Sequence, residues 1–145
     1  MTESSMFGHH GVLIPWKPEY ELGIPIIDEQ HRGLVAAINS LHCAVLNEFG
    51  EKMIEPVIGM TKEYTLVHFA TEEFFLKKCG FPDMEQHCEQ HKGLMRSLFE
   101  VGQESVFNQD SDQMIRFLQE WLLNHILTED QKYREYLLGM QRHHP

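Results

Sequence analysis

Four stretches of this sequence each carry a side chain of the type that binds transition metals. His68 and Glu72 are four residues apart, and so are His87 and His91. Residues at this spacing lie on one face of an α-helix, about one turn apart, so each pair could chelate an ion. A histidine in the first stretch and two residues in the fourth complete the set. The candidate ligands are His31, His68, Glu72, His87, His91, His125 and Asp130.

Histidine is abundant, at ten of 145 residues. At that density a pair spaced by four arises by chance roughly 0.7 times, and a lone histidine on an apolar face is usually an ordinary core residue, as we interpret His42. Five histidines and two carboxylates on inward faces are different, because burying them without a shared partner costs on the order of several kcal/mol. A shared metal centre removes that cost. The paired histidines near the two ends are interpreted as solvated: His9, His10, His143 and His144.

The donor types narrow the choice of metal. Seven ligands exceed the needs of one tetrahedral zinc, and the three cysteines (Cys43, Cys79, Cys88) stand outside the inward stripes, which argues against zinc and iron-sulfur clusters. Three widely spaced cysteines also cannot complete a disulfide framework. Imidazole with carboxylate is the ligand set of non-haem iron, and Glu72 and Asp130 could each bridge two ions. The residues therefore favour two octahedral ions over one.

The elements that must position these ligands are helices. Apolar residues recur at intervals of three and four, as at Ile27, Leu34 and Ile38, which is typical of amphipathic helices. In the second helix the predicted inward stripe contains Val57, Met60, Tyr64, Val67, His68 and Phe75. The predicted helices span about 26–49, 52–79, 84–106 and 112–141. Four helices with short links predict an all-α, up-down-up-down four-helix bundle with the metal centre in its core.

The fourth helix has a spacing problem. His125 and Asp130 are five residues apart, which places them roughly 140° apart on a regular α-helix. One regular helix would direct them to different faces. We therefore predict a π-type turn between them, or an Asp130 that leans in from the edge of the stripe.

Length and charge limit the remaining possibilities. A chain of 145 residues is expected to form one domain, which we place at residues 16–141, with an N-terminal arm at 1–15 and a C-terminal tail at 142–145. The formal charge of −10 repels phosphate, which argues against nucleic-acid binding. No apolar run approaches the roughly 18 residues needed to cross a bilayer, and no signal peptide is evident. A cytoplasmic monomer without membrane insertion is the expectation.

Three segments of the sequence resemble the hemerythrin family. The run HFATEEFFLKKCGFPDMEQHCEQH, from His68 to His91, is similar to the family's signature segment. The earlier WKPEYELGIPIIDEQHRGL and the later WLLNHILTEDQKY extend the resemblance over about Trp16 to Tyr133. The resemblance implies a four-helix bundle around a non-haem di-iron centre that binds O2 reversibly.

The resemblance also implies a role for each ligand. One iron would be held by His87, His91 and His125, and the other by His31 and His68. Glu72 and Asp130 would bridge the two iron ions (Fe2+/Fe3+), together with an oxo or hydroxo group. The second iron has fewer protein ligands, so its open position is where O2 is expected to bind.

An apolar wall is expected over that open position. Five residues within about one turn of a ligand histidine are the candidates: Leu34, Phe69, Trp121, Leu122 and Ile126. Most apolar stripes in bundles are core, so these residues would be buried whether or not they also shield O2.

Two classes of function fit these residues. The first is O2 binding for storage, delivery or sensing. Its candidate partner is an oxygen-consuming enzyme or a reductase. In this class we expect no enzymatic role beyond a weak oxidase or peroxidase side activity. The second is a di-iron oxidase, peroxidase or iron-storage protein on the same bundle. Oxygen-activating di-iron sites are rich in carboxylates, whereas this set has five histidines and only two carboxylates. The balance of ligands favours reversible binding.

Overall fold

The computed structural model of the chain describes residues 12–132 and 134–142, without the side chains of residues 126, 127 and 140–142. These residues form helices and no strand. Four long helices build a bundle, as predicted, and shorter segments extend the fourth to the end of the described chain. The long helices are α1 (Pro25–Leu46), α2 (Gly50–Cys79), α3 (Met84–Asn108) and α4 (Ser111–Asn124). After them come a π-helical segment (His125–Glu129), α5 (Asp130–Lys132) and α6 (Arg134–Arg142), and a 3-10 turn (Pro18–Tyr20) precedes α1.

Short links make neighbouring helices antiparallel. The links occupy residues 47–49, 80–83 and 109–110. Gly80 and Gln109 end α2 and α3 in the left-handed conformation, with φ of 70° and 51°. That conformation stops a helix and turns the chain back, and glycine adopts it without steric cost. Helix α1 ends at Leu46, a few residues earlier than predicted, since Glu48 also takes a positive φ of 66°.

The inward stripe predicted for α2 is partly wrong. Met60, Tyr64 and Val67 are 39%, 40% and 56% exposed, whereas Thr61 and Thr65 are fully buried in their place. The buried positions follow a helical period that includes His68 and Glu72. Thus the rotation of α2 is set by its two candidate ligands, while its large apolar residues next to the stripe remain outside.

The first described residues already belong to the bundle. Ile14 is buried, and its backbone exchanges two hydrogen bonds with the side-chain amide of Asn39, at 2.9 and 3.0 Å. Order therefore extends into the segment that the sequence analysis assigned to an arm. Residues 1–11, Tyr133 and the last three residues lie outside the described chain, and with them the four terminal histidines. Among the described residues no helix is long and apolar enough to cross a membrane.

The buried carboxylate of Asp28 fixes the entrance to α1. It accepts hydrogen bonds from the backbone N–H groups of Leu22 and Gly23, at 2.8 and 3.2 Å. Two satisfied donors and a buried carboxylate hold the start of α1 against the preceding loop. Asp28 lies one turn before His31, so the carboxylate that holds the preceding loop also fixes the part of α1 that carries this candidate ligand.

Candidate metal centre

All seven predicted ligands are buried and meet in one layer of the bundle. Two groups of donor atoms each lie within 4.8 Å of one another. Glu72 belongs to both groups, so the two are adjacent parts of one cluster. The first group is His31, His68, Glu72, His125 and Asp130, and the second is Glu72, His87 and His91.

The first group converges on the Nε2 atom of His68. This atom is 3.1 Å from Nε2 of His31 and 3.2 Å from Nε2 of His125. Asp130 closes the group, with its carboxylate oxygens 2.6 Å from Nε2 of His31 and 3.0 Å from Nε2 of His125. One carboxylate therefore touches ligands from α1 and from the π segment.

Glu72 connects the first group to the second. One of its carboxylate oxygens pairs with Nε2 of His68. The other lies 3.3 Å from Nε2 of His87 and 3.4 Å from Nε2 of His91. A carboxylate whose two oxygens face different imidazole groups has the placement that a bridge between two ions requires.

The electrostatics of the cluster show mutual stabilisation of opposite charges. Burial opposes the charge on Glu72, yet the imidazoles of His68, His125 and His87 hold the pKa of this carboxyl well below its usual range. Burial likewise opposes a charged His68, but Glu72 and Asp130 raise the pKa of this imidazole to about 10. For His31 burial prevails over the attraction of Asp130 and lowers the pKa.

The two ligands that follow α4 are likewise each stabilised in the charged form. Burial and the neighbouring Glu72 oppose ionisation of Asp130, but His125, His31 and His68 lower the pKa of its carboxyl. Burial disfavours a charged His125, and Asp130 and Glu72 nevertheless raise the pKa of its imidazole. The cluster thus keeps both carboxylates in the anionic form that binds a cation.

The π-type turn predicted from the spacing of His125 and Asp130 is confirmed. Residues His125–Glu129 form a π-helical segment, and the N–H of Asp130 donates to the carbonyl of His125. The wider turn adds one residue per turn, so two residues five apart come onto one face. It brings the Asp130 carboxylate within 3.0 Å of His125.

The donor set and its unmet hydrogen bonds fit a metal. Nε2 of His91 is buried, faces Glu72 and makes no hydrogen bond. A buried nitrogen in that state costs free energy unless something supplies a partner, and a cation would. Five imidazoles and two carboxylates are the donors that non-haem iron takes.

The grouping of ligands differs in one respect from the division that the resemblance implies. His125 was expected with His87 and His91, but its Nε2 atom lies among the donor atoms of His31, His68 and Asp130. The ring of His125 stands between the two groups, since its centroid is 5.4 Å from that of His68 and 5.9 Å from that of His91. His125 is the imidazole placed to serve either side.

Gln30 was missed by the sequence analysis. Its amide Nε2 donates to the hydroxyl of Thr71, and that hydroxyl donates to the carbonyl of Val67. The amide oxygen therefore faces His68 and accepts from Nδ1–H at 3.1 Å. This fixes the orientation of the imidazole and directs its Nε2 lone pair into the cluster. Gln30 directly precedes a predicted ligand, but the contact is with a ligand of the neighbouring helix, which sequence spacing does not show.

Four of the five residues predicted to form an apolar wall are buried, and the rings of two of them lie against ligand histidines. Leu34, Phe69, Trp121 and Leu122 are all buried in one hydrophobic core. The Phe69 ring lies 5.7 Å from the ring of His68, centroid to centroid, and also stacks on His91, with a centroid distance of 3.7 Å and an interplanar angle of 5°. Trp121 stacks more distantly on His125, at 6.1 Å. The side chain of Ile126 lies outside the described residues.

Fold and site together define a buried histidine-carboxylate centre inside a four-helix bundle. The family model described as "Hemerythrin HHE cation binding domain" matches residues 22–137. The chain belongs to the hemerythrin family. That match includes all seven residues of the cluster, which could hold a metal ion.

Several curated relatives are similar to the chain over most of their length. The chain is 32% identical to a bacteriohemerythrin of Stenotrophomonas maltophilia over 85% of this chain and 80% of the relative. It is 30% identical to a bacteriohemerythrin of Clostridium acetobutylicum, over 83% of this chain and 98% of the relative. A hemerythrin-like protein of Naegleria gruberi is 29% identical over 84% and 92% of the two chains.

Proposed function

We propose that this protein binds two iron ions through His31, His68, Glu72, His87, His91, His125 and Asp130, and that it binds O2 reversibly at this centre. The observation that carries the proposal is the seven-residue cluster itself, whose two groups of donor atoms share one carboxylate. Two adjacent groups with a common ligand call for two ions and a bridge. An oxo or hydroxo group would complete the bridging.

The ratio of carboxylate to imidazole ligands suits reversible O2 binding. When bound, the iron pair supplies reversible electron donation to O2. Glu72 and Asp130 contribute two negative charges, and the imidazoles contribute none in their neutral form. Carboxylate-rich centres are the ones associated with oxygen activation. A centre dominated by neutral imidazole gives less anionic stabilisation to strongly oxidised iron, so release of O2 is favoured over its irreversible reduction.

Apolar side chains provide the second requirement, which is exclusion of water and protons. Leu34 and Leu122 are fully buried, each within one turn of a ligand histidine. We assign them, with Phe69, Trp121 and Ile126, to the wall over the O2 site. Such a wall would keep water and protons away from the site and so suppress the competing reactions that need them.

The physiological role that follows is storage, delivery or sensing of O2. A partner that consumes O2 or a reductase that keeps the iron ferrous would complement such a protein. An oxidase or peroxidase on the same bundle would differ in consuming O2 irreversibly, so the two functions separate in one experiment.

That experiment is an optical titration of the reduced, iron-loaded protein with O2 under otherwise anaerobic conditions. We expect a new absorption band that saturates, disappears when O2 is removed and returns through repeated cycles. A band that decays to the oxidised protein in the first cycle, with hydrogen peroxide or water as product, would identify an oxidase instead. The control is the His91→Ala variant, in which no such band is expected.

A further inference from the structure

A groove between α3 and the fourth helix opens onto the ligand cluster. It encloses a cavity of about 370 Å³ whose inner side is formed by His87, His91 and His125. A second cavity of about 160 Å³ lies beside it, toward Phe81 and Lys132. His87, Gln90 and Glu129 line both cavities, so the two join into one path to one side of the centre.

Glu129 occupies the junction of the two cavities. It is the last residue of the π segment and directly precedes Asp130. Its side chain is 26% exposed, and one carboxylate oxygen accepts from the ammonium group of Lys132 at 3.1 Å. A half-buried carboxylate therefore lines the same cavities as His87 and pairs with a lysine whose side chain is 62% exposed.

We propose that ferrous iron enters and leaves the centre through this groove. Glu129 is the carboxylate that receives the ion from solvent, and the ion displaces the ammonium group of Lys132 from Glu129. The inference rests on the proposed iron centre and adds a path to it. A hydrated divalent cation cannot cross an apolar core at reasonable cost. It needs oxygen donors along the way and a nitrogen donor at the end.

The far end of the groove supplies that nitrogen donor. His91 is 3% exposed and its Nε2 atom makes no hydrogen bond, so the imidazole is ready to take an ion. The space is also sufficient: at about 30 Å³ per water, the larger cavity corresponds to roughly a dozen water molecules. An ion could thus keep most of its hydration until it reaches the ligands. His31 and His68, in contrast, have no exposed surface at all.

The test is the rate at which the reduced, iron-loaded protein gives up iron to an excess of bipyridine without O2. Entry and exit follow the same path, so the Glu129→Gln variant should release iron about tenfold more slowly, the scale on which a local charge steers ions. The matched control is Glu89→Gln. Glu89 also accepts from a lysine three residues later, Lys92 at 3.2 Å, but it lines neither cavity.

A second pair of variants tests whether narrowing the groove slows the release of iron. A side-chain atom added at Gly93, in the wall of the groove, would approach only the guanidinium of Arg96, at 3.9 Å. Gly93→Leu should therefore be accommodated, fill the groove and slow release. Gly59→Leu is the control, since Gly59 also has open space around it but lines a different cavity between α2 and α3. Leucine has a higher helix propensity than glycine, so neither substitution should disrupt its helix.

The outcomes separate the two proposals. Slower release in Glu129→Gln and Gly93→Leu, with both controls at the parent's rate and an equal starting iron content, supports the groove. Parental rates in both test variants would overturn it. Release rates that follow the unfolding rate in all four variants would also overturn it, because iron would then leave through unfolded protein. A parent protein that holds no iron would instead overturn the proposed function.

Discussion

The two sides of the ligand cluster differ in what covers them. On one side His31 and His68 are completely buried beside a core that contains Leu34 and Leu122. On the other side His87 and His91 retain 6% and 3% of their surface and line a groove that also contains Gln90, Asn124 and Glu129. The same centre is thus dry toward α1 and α2 and approachable along α3.

This asymmetry suits two requirements that conflict at a single surface. Reversible O2 binding needs a site without water or proton donors, whereas exchange of a hydrated metal needs both water and oxygen donors. Separate sides allow both.

The largest effect is expected on removal of a ligand from the open side. His91→Ala should lose iron and lower the free energy of unfolding by roughly 3–5 kcal/mol, because loss of the metal leaves the buried carboxylates without their cation. Metal analysis and thermal unfolding measure the two effects. His42→Ala is the control, since His42 is half-buried and outside the cluster, and it should keep its iron. A His91→Ala protein with its full iron content and an unchanged melting temperature would refute the assignment.

A smaller effect is expected when a ligand on the closed side loses its support. Gln30→Leu removes the acceptor that orients His68, and loss of such a contact typically lowers metal affinity by about 10–100-fold. Competition for iron with a chelator of known affinity measures it. Gln30→Glu retains an oxygen acceptor and should stay close to the parent. Equal affinity in Gln30→Leu would show that His68 needs no orienting partner.

The smallest effect is expected on the dry wall itself. Leu122→Asn touches no ligand and should keep its iron, but a polar group beside the O2 site should shorten the lifetime of the oxygenated form several-fold. Leu118→Asn is the matched control, one turn further from His125 and equally buried. Both variants should lose stability, with only Leu122→Asn oxidising faster. Equal lifetimes in the two would assign Leu122 to the core alone.

Regular helical spacing accounts for what the sequence predicted well. The pairs four residues apart on α2 and α3 converge as expected, and the mismatch between His125 and Asp130 correctly predicted the π segment. Both follow from helix geometry alone, which a single chain segment contains. The resemblance to a known family supplied the same seven residues independently.

Contacts between helices account for what the sequence did not predict. Hydrophobicity favoured Met60 and Val67 over Thr61 and Thr65 as inward residues of α2, yet the two threonines are buried because the ligands set the helix rotation. The contact of Gln30 with His68 and the stacking of Phe69 on His91 likewise join residues of different helices. Such pairs depend on register between helices, and local periodicity contains no information on that register.

The central claim is that the seven buried residues form one centre for two iron ions. The most direct test is the iron content per chain of protein isolated from iron-replete cells, measured together with zinc. The account predicts two irons per chain and no zinc. A content of one iron per chain, or zinc in place of iron, would contradict it.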